Sequence, residues 1–533
     1  MTNELQGVQF GAGWFDEERD EIFSFRWMGR EAEVTLAPGG AYLAFHAYSE
    51  FVDASQVLTV RTGGALLAEL PLLHQWTPYG VELPAGAGAV TFTLNKLFPR
   101  EYYPDDSRAL GIRVAEVRRH GDAEAHGAAR AFHANAVLNV SETLERAVVL
   151  RSHPLSLGID LHAKCNMVPL CVYCHFEVDK VAEGPFGDAV VDAAALEGYG
   201  EFLRAARHLV NCSIGEPLLH PRLGEVLDLL ERRGKFLEMS TNGLSLTRRA
   251  VEQLAGRKIF LYVSLDAGTR EIYARIRNER FDLIVEQLKA LAALRRGRGG
   301  WPKLYMVFMP MQVNRCDLAA YFHLCRDLEA DAIVLRPLNV LEKRQPVVRR
   351  ADYAFEYHRE HLTPAEQEAL FGEAMRLSEA TGVRVLNQFF FGSPTGTQAA
   401  GEGAGVASPS GVEAKPDLGH GRLPLCREPW QNYYILRRGI MPCCYGGDKI
   451  APMDRWEEAW NSRALHEIRA HLADGRFSRY CLESLACPIV QRHALQRKPD
   501  SAEMRQPAWL RLAKAVNRAA LGLPGRAWRR LKG

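Results

Sequence analysis

HAKCNMVPLCVYCHFE (residues 162–177) sets three cysteines, Cys165, Cys171 and Cys174, within ten residues. Zinc modules and redox motifs usually pair two cysteines, leave a long gap, and then supply two more ligands. Here the third cysteine is close and the fourth is missing, which raises the question of what binds three thiolates. Thiolates are soft donors and suit zinc, copper(I) or an iron–sulfur cluster. A structural zinc site is closed by four ligands, and His162 or His175 stands near enough in sequence to supply the fourth. A [4Fe–4S] cluster takes one external ligand per iron, so three cysteines would leave one iron open to a small molecule.

The surrounding chain favours the open site. From about 150 to 390, apolar runs alternate with helical stretches: LSLGIDLH (155–162), HLVNCSIG (208–215), FLEMSTN (236–242), IFLYVSLD (259–266), KLYMVFMP (303–310) and DAIVLRPL (331–338). Between them lie AALEGYGEFLRAARHL, LGEVLDLLERRG and FDLIVEQLKALAALRR. This alternation predicts a parallel sheet under helices, an open sheet or a partial (β/α)6 barrel in an α/β chain. Ligands of such folds bind at the carboxyl ends of strands. The cysteine run directly follows the first strand. The second strand ends in Cys212-Ser213-Ile214-Gly215-Glu216-Pro217, the third in Ser240-Thr241-Asn242-Gly243, and the fourth in Ser264-Leu265-Asp266. One polar strand tip is an ordinary turn or cap; four in series beside a thiolate triad read as a site.

On these residues the chain resembles the radical S-adenosylmethionine (SAM) enzymes, whose signature is three cysteines after the first strand with an aromatic, here Tyr173, before the last. The first gap, NMVPL, holds five residues where the family usually has three. The resemblance implies a partial barrel binding a [4Fe–4S] cluster through Cys165, Cys171 and Cys174. SAM would chelate the open iron and be cleaved to a 5′-deoxyadenosyl radical that takes hydrogen from a substrate carbon. It further implies that Gly215, Glu216 and Pro217 hold the SAM amino group. Ser240, Asn242, Ser264 and Asp266 would contact its ribose or methionine part, and Arg277 its carboxylate. A plain helix-face charge is the alternative reading of Arg277.

A second cysteine group, Cys426, Cys443, Cys444, Cys481 and Cys487, brackets DRWEEAWNSRALHEIRAHLADG. It resembles the SPASM or twitch extension of radical SAM enzymes, which implies one auxiliary [4Fe–4S] cluster held by Cys426, Cys443 or Cys444, Cys481 and Cys487. A four-cysteine zinc site is the alternative. Cys212, Cys316 and Cys325 stand alone and read as small buried hydrophobes.

The remainder frames these groups. The chain has 533 residues, 47% apolar and 24% charged, with a net charge of +2. That balance predicts several domains and no bulk affinity for nucleic acid. Residues 1–125 read as an antiparallel β-sandwich accessory domain, from EAEVTLA, AYLAFHA, QVLTVRT, ALLAEL, YGVEL, AVTFTL and IRVAEV. Its ends, FGAGWFDEE…FSFRWMGREA and FPREYYPDDSRALGIRVAEV, resemble a sandwich domain attached to bacterial cell-surface glycosyltransferases. The partial barrel is set at 126–390, a disordered Gly/Ala/Ser/Pro linker at 391–424, a small cysteine-rich α+β extension at 425–495, and a basic helical tail at 496–533. Eight Lys/Arg lie between Arg505 and Lys532, interleaved with Trp509, Leu510, Leu512, Val516 and Trp528. A solvated helix is the preferred reading of that tail over contact with an anionic membrane. The N-terminus lacks a basic head and an apolar core, so a cytoplasmic address is expected. The sandwich analogy tilts the substrate towards a sugar, glycan or cell-envelope precursor. A peptide substrate is the rival, and a zinc-binding interaction protein is the rival outside enzymes. A radical enzyme would also need an electron donor such as flavodoxin or ferredoxin. No acid, base or hydrogen donor stands out; His175, Glu177, Arg336 and Tyr433 are the nearby polar candidates.

Overall fold

Glu31–Leu36 alternates exposed and buried residues at every step, the period of a strand with one face in a core. In the computed structural model, which describes residues 8–174, 191–213, 215–338, 348–350, 352–388, 421, 423–445, 449–484, 487 and 489–490, this strand belongs to a two-sheet sandwich. Residues 1–486 form one unit and 487–533 a second. The linker stretch 391–420 and the whole basic tail, 496–533, lie outside the described residues, as do His175 and Glu177.

The sandwich strands are β1 (Val8–Phe10), β2 (Trp14–Arg19), β3 (Ser24–Met28), β4 (Glu31–Leu36), β5 (Tyr42–Tyr48), β6 (Val57–Thr62), β7 (Ala65–Pro71), β8 (Thr77–Glu82), β9 (Ala89–Leu94) and β10 (Ile112–His120). One sheet runs β1-β4-β9-β6-β7 and the other β2-β3-β10-β5-β8. The strand runs legible in the sequence begin at Glu31; β2, WFDEER, carries charge on both faces of its strand and so shows no alternation.

The parallel sheet follows: β11 (Ser156–Ile159), β12 (His208–Asn211), β13 (Phe236–Thr241), β14 (Ile259–Ser264), β15 (Lys303–Phe308) and β16 (Ala332–Leu335). A hairpin comes next, β17 (Val348–Arg350) and β18 (Tyr353–Phe355), and then β19 (Val385–Asn387) beside β16. Every residue of β15 is buried, as a strand covered on both faces must be. Leu237, Met239, Leu261, Val263, Leu304 and Met306 pack with the covering helices through Val226, Leu230, Val251 and Ile284. The alternate residues, Phe236, Phe260, Tyr305, Val307, Ala332 and Val334, share a core with Phe23, Phe25, Trp27, Tyr48 and Trp76 of the sandwich. The sandwich therefore packs on this part of the inner face of the partial barrel. The Tyr305 hydroxyl donates to Glu21 Oε2 at 2.5 Å across this boundary, and Lys258 Nζ sits 5.5 Å from the Phe23 ring and 5.4 Å from Phe236.

Two histidines at this junction make it acid-sensitive. The His46 ring stacks on Phe23 and the His208 ring on Phe236. Burial pulls His46 down to about 4, and burial aided by Arg207 pulls His208 down to about 3. An unfolded histidine titrates near 6.5. Below that pH the unfolded chain binds protons that the folded chain refuses, so their contribution is complete above about pH 6.5 and lost towards pH 4. The urea midpoint of the full chain should fall across that window and fall less in His208→Phe. Equal pH dependence in the two proteins would contradict this.

The extension is not an appended module. Its strand β20 (Asn432–Leu436) pairs in parallel with β11, Ser156 opposite Asn432 and Ile159 opposite Ile435, and β21 (Gly439–Met441) turns back beside it. Buried Arg469 locks this part down by donating to the carbonyls of Pro429, Val148 and Trp460. The register sets β20, with β21 and the following Cys443 and Cys444, directly beside the strand that leads into the triad. No helix among the described residues is long and apolar enough to cross a membrane.

Candidate functional site

Cys165, Cys171 and Cys174 lie half-buried in the segment after β11. Burial pushes the Cys171 thiol up to about 11, an effect that Cys174 and Cys165 reinforce and Arg277 opposes. Cys171 thus feels both other thiols and one guanidinium, so the three cysteines share a site. Among the described residues no three His, Cys, Asp or Glu side chains stand close enough to hold a single metal ion. A cubane cluster holds its cysteines farther apart than one ion does, and a soft, all-thiolate donor set with a cation beside it fits that group.

The five-residue gap is anchored at its start. Asn166 accepts from Asn242 Nδ2 at 3.0 Å and donates to Ser245 Oγ at 2.9 Å. Met167 is buried, with Asn278 Nδ2 at 2.8 Å from its sulfur, while Val168 faces solvent. The extra length is therefore an exposed bulge between fixed ends. The later part is held by the β17–β18 region: Arg350 donates to the Leu170 carbonyl and the Tyr357 hydroxyl to that of Tyr173.

Gly215 backs directly onto this segment. A Cβ there would lie 2.5 Å from the Ala163 carbonyl carbon and 2.5 Å from the His162 oxygen. The next residue closes the contact, its N–H donating to the Lys164 carbonyl at 2.7 Å. The buried Glu216 carboxylate accepts from Thr241 Oγ1 (2.8 Å), Asn242 N (2.7 Å) and Leu218 N (3.1 Å), and so fastens the second strand tip to the third. Burial raises its pKa and these donors lower it. Buried Pro217 opens the turn Pro217–Leu219. Asn242 reaches the triad itself, its Nδ2 lying 3.6 Å from Cys165 Sγ.

Asp266 and Arg277 are both buried and paired at 2.6 Å. Asp266 has φ +60°, a left-handed conformation that Asp tolerates. Its Oδ2 accepts from Arg277 Nε and Nη2 and from the Tyr173 hydroxyl, and its Oδ1 from Met309 N. Arg277 Nη1 donates to Cys171 Sγ at 3.4 Å. Ser240 and Ser264 are half-buried on the inner face, one strand step beyond Glu238 and Tyr262. The Arg336 guanidinium lies 5.9 Å from the Tyr262 ring and feels the Glu238 carboxyl, whose pKa is raised by burial. Tyr433 is a core residue, its hydroxyl donating to the Trp456 carbonyl.

In the second group, Cys426 and Cys481 border the main core with Phe477 and Tyr480, and Ser478 Oγ donates to Cys481 Sγ at 3.4 Å. Cys443 packs on Tyr434, Leu436 and Met441. Cys444 follows it at the surface, and Cys487 belongs to the second unit. Cys212 packs on the same three residues as Cys443, so it is not an isolated hydrophobe, whereas Cys325 is fully buried and Cys316 exposed. Only the β11–β20 pairing brings Cys212 to that group, and nothing local in the sequence signals it.

The family model of the Radical SAM superfamily matches residues 161–318, the stretch from the end of β11 to the helix after β15. No curated protein matches the chain. Among solved structures it is similar to Streptococcus suis SuiB bound to S-adenosylmethionine, at 16% identity over 63% of this chain and 72% of that one with a TM-score of 0.43. It is also similar to anSMEcpe with bound AdoMet, at 16% identity over 44% and 64% with a TM-score of 0.34. TYW1 with a lysine-pyruvate adduct gives 18% over 43% and 72%, with a TM-score of 0.29.

Proposed function

We propose that the chain is a radical SAM enzyme, on the family match over residues 161–318, and that Cys165, Cys171 and Cys174 hold a [4Fe–4S] cluster whose fourth iron takes SAM. The observation that carries this reading is the triad's place at the end of β11, with donors from the third strand tip on Cys165 and from Arg277 on Cys171. When bound, cluster and SAM supply a one-electron cleavage of SAM and hydrogen abstraction from a substrate carbon. The protein's part is to fix the triad and keep water from it. Gly215 and Glu216 set the distance between the first two strand tips, and Asn242 ties the third to Cys165.

The substrate's place is the inner face beyond the aromatic floor of Phe236, Phe260 and Tyr305, where Glu238, Tyr262 and Arg336 offer an acid, a phenol and a cation. Such a lining suits a polar small molecule, a sugar derivative or a peptide segment. The sandwich aromatics Phe23, Phe25, Trp27, Tyr48 and Trp76 are buried against the sheet, which gives that domain a sealing role in place of a glycan-holding one. Within residues 1–486, Cys426, Cys443 or Cys444 and Cys481 would ligate one auxiliary [4Fe–4S] cluster that relays an electron, with a flavodoxin or ferredoxin as the external donor.

Anaerobically reconstituted protein given dithionite and SAM should release 5′-deoxyadenosine. Changing Cys165, Cys171 and Cys174 together to Ala should drop that release to background and lower the iron content, leaving only what the second group binds. Undiminished release from the triple variant would sink the assignment.

A further inference from the structure

We infer that Arg277 is a positioning residue for the cysteine triad, raising the reduction potential of the cluster through Cys171, in place of binding SAM. This rests on the cluster reading above and adds a role for a buried ion pair. The guanidinium is 3% exposed and its partner carboxylate 1%. Four of its five N–H groups are committed: Nε and one Nη2 proton to Asp266, the other Nη2 proton to the Tyr173 hydroxyl, and one Nη1 proton to Cys171 Sγ at 3.4 Å. The Tyr173 hydroxyl donates in turn to Asp266 Oδ2, closing a ring of three side chains that reaches the sulfur through Arg277 Nη1. Asp266 is itself fixed by Met309 N at 2.8 Å and by Asn314 Nδ2 at 2.9 Å on its carbonyl. A guanidinium spent in this way is poorly placed to clamp a second carboxylate.

The chemistry of such a contact has a definite sign. Reduction adds negative charge to a cluster, and hydrogen bonds and positive charge at its sulfurs stabilise the reduced form. The contact is strengthened by burial, since Asp266 and Arg277 lie out of water. Asp266 cancels part of the charge at longer range but does not touch the sulfur. Tyr173, the aromatic between the last two cysteines, is what lets Asp266 and Arg277 share one hydroxyl without a gap.

The test compares reconstituted full-length wild type with Arg277→Gln, Arg277→Lys and the double variant Asp266→Asn/Arg277→Gln, which strands no buried charge. Iron per chain, the midpoint potential from EPR-monitored titration, and SAM binding by equilibrium dialysis are measured. In Arg277→Gln or the double variant, the reduction equilibrium should shift about tenfold towards the oxidised form, about 59 mV for one electron. Arg277→Lys, which keeps the charge, should recover most of the shift. Loss of iron from Arg277→Gln with retention in Arg277→Lys also supports the role. A full iron complement with an unchanged potential but lost SAM binding would overturn it and return Arg277 to the SAM carboxylate. Loss of iron from Arg277→Lys and the double variant alike would make the pair part of the scaffold alone. Wild type that takes up no cluster would instead refute the reading on which this rests.

Discussion

Removal of residues 1–121 is expected to unfold the parallel sheet as well as the sandwich. Those residues cover Phe236, Phe260, Tyr305, Val307, Ala332 and Val334, all at most 9% exposed in the full chain. Burying a large apolar side chain contributes about 1.5–3 kcal/mol. Uncovering the four largest therefore forfeits a sizeable share of the 5–15 kcal/mol typical of a native protein. The bonds from Tyr305 and Arg384 to Glu21 are lost at the same time. The truncated chain should express as insoluble protein or melt without a cooperative transition, and should retain no SAM-cleaving activity. A soluble truncation with a sharp transition at the full chain's temperature would show that the sandwich is dispensable.

Gly215→Ala is expected to cripple the site while leaving most of the fold intact. The added methyl would meet the Ala163 carbonyl carbon and His162 oxygen at 2.5 Å, both of them backbone atoms that no rotamer change can move aside. Either the strand tip or the segment leading into Cys165 must shift by about an ångström, and misplacement on that scale costs about a hundredfold in rate. The stability cost of such overpacking is smaller, about 1–3 kcal/mol. Gly372→Ala, in the helix Pro364–Thr381 with open space around it, is the matched control and should leave activity unchanged while stabilising the helix by about 0.5–1 kcal/mol. Wild-type 5′-deoxyadenosine release from Gly215→Ala would mean that the two loops move independently.

Much of this arrangement was legible in the sequence, and the reason is physical. Strands buried on both faces read as apolar runs, so β11 to β16 stood out, and with them the polar tips that follow. What covers the inner face did not, because Phe236 and Phe260 look alike whether a helix or a foreign sheet packs on them. The extension read as a separate small domain, since its pairing with β11 joins residues far apart in the chain. At the rim, sequence located Asp266 and Arg277 beside the triad. It could not tell that a left-handed Asp266 faces Arg277, or that Arg277 reaches a cysteine sulfur. Glu216 stands out by its motif, yet its partners Thr241 and Asn242 on the third strand tip depend on the register of β12 and β13.

An iron left open by the protein is what three cysteines without a fourth imply. EPR spectra of the dithionite-reduced, reconstituted protein, recorded with and without SAM, test this most directly. SAM should alter the g-values of one cluster signal, and this signal should be absent when Cys165, Cys171 and Cys174 are replaced by Ala. Spectra identical with and without SAM, or a SAM-sensitive signal that persists in the triple variant, would contradict it.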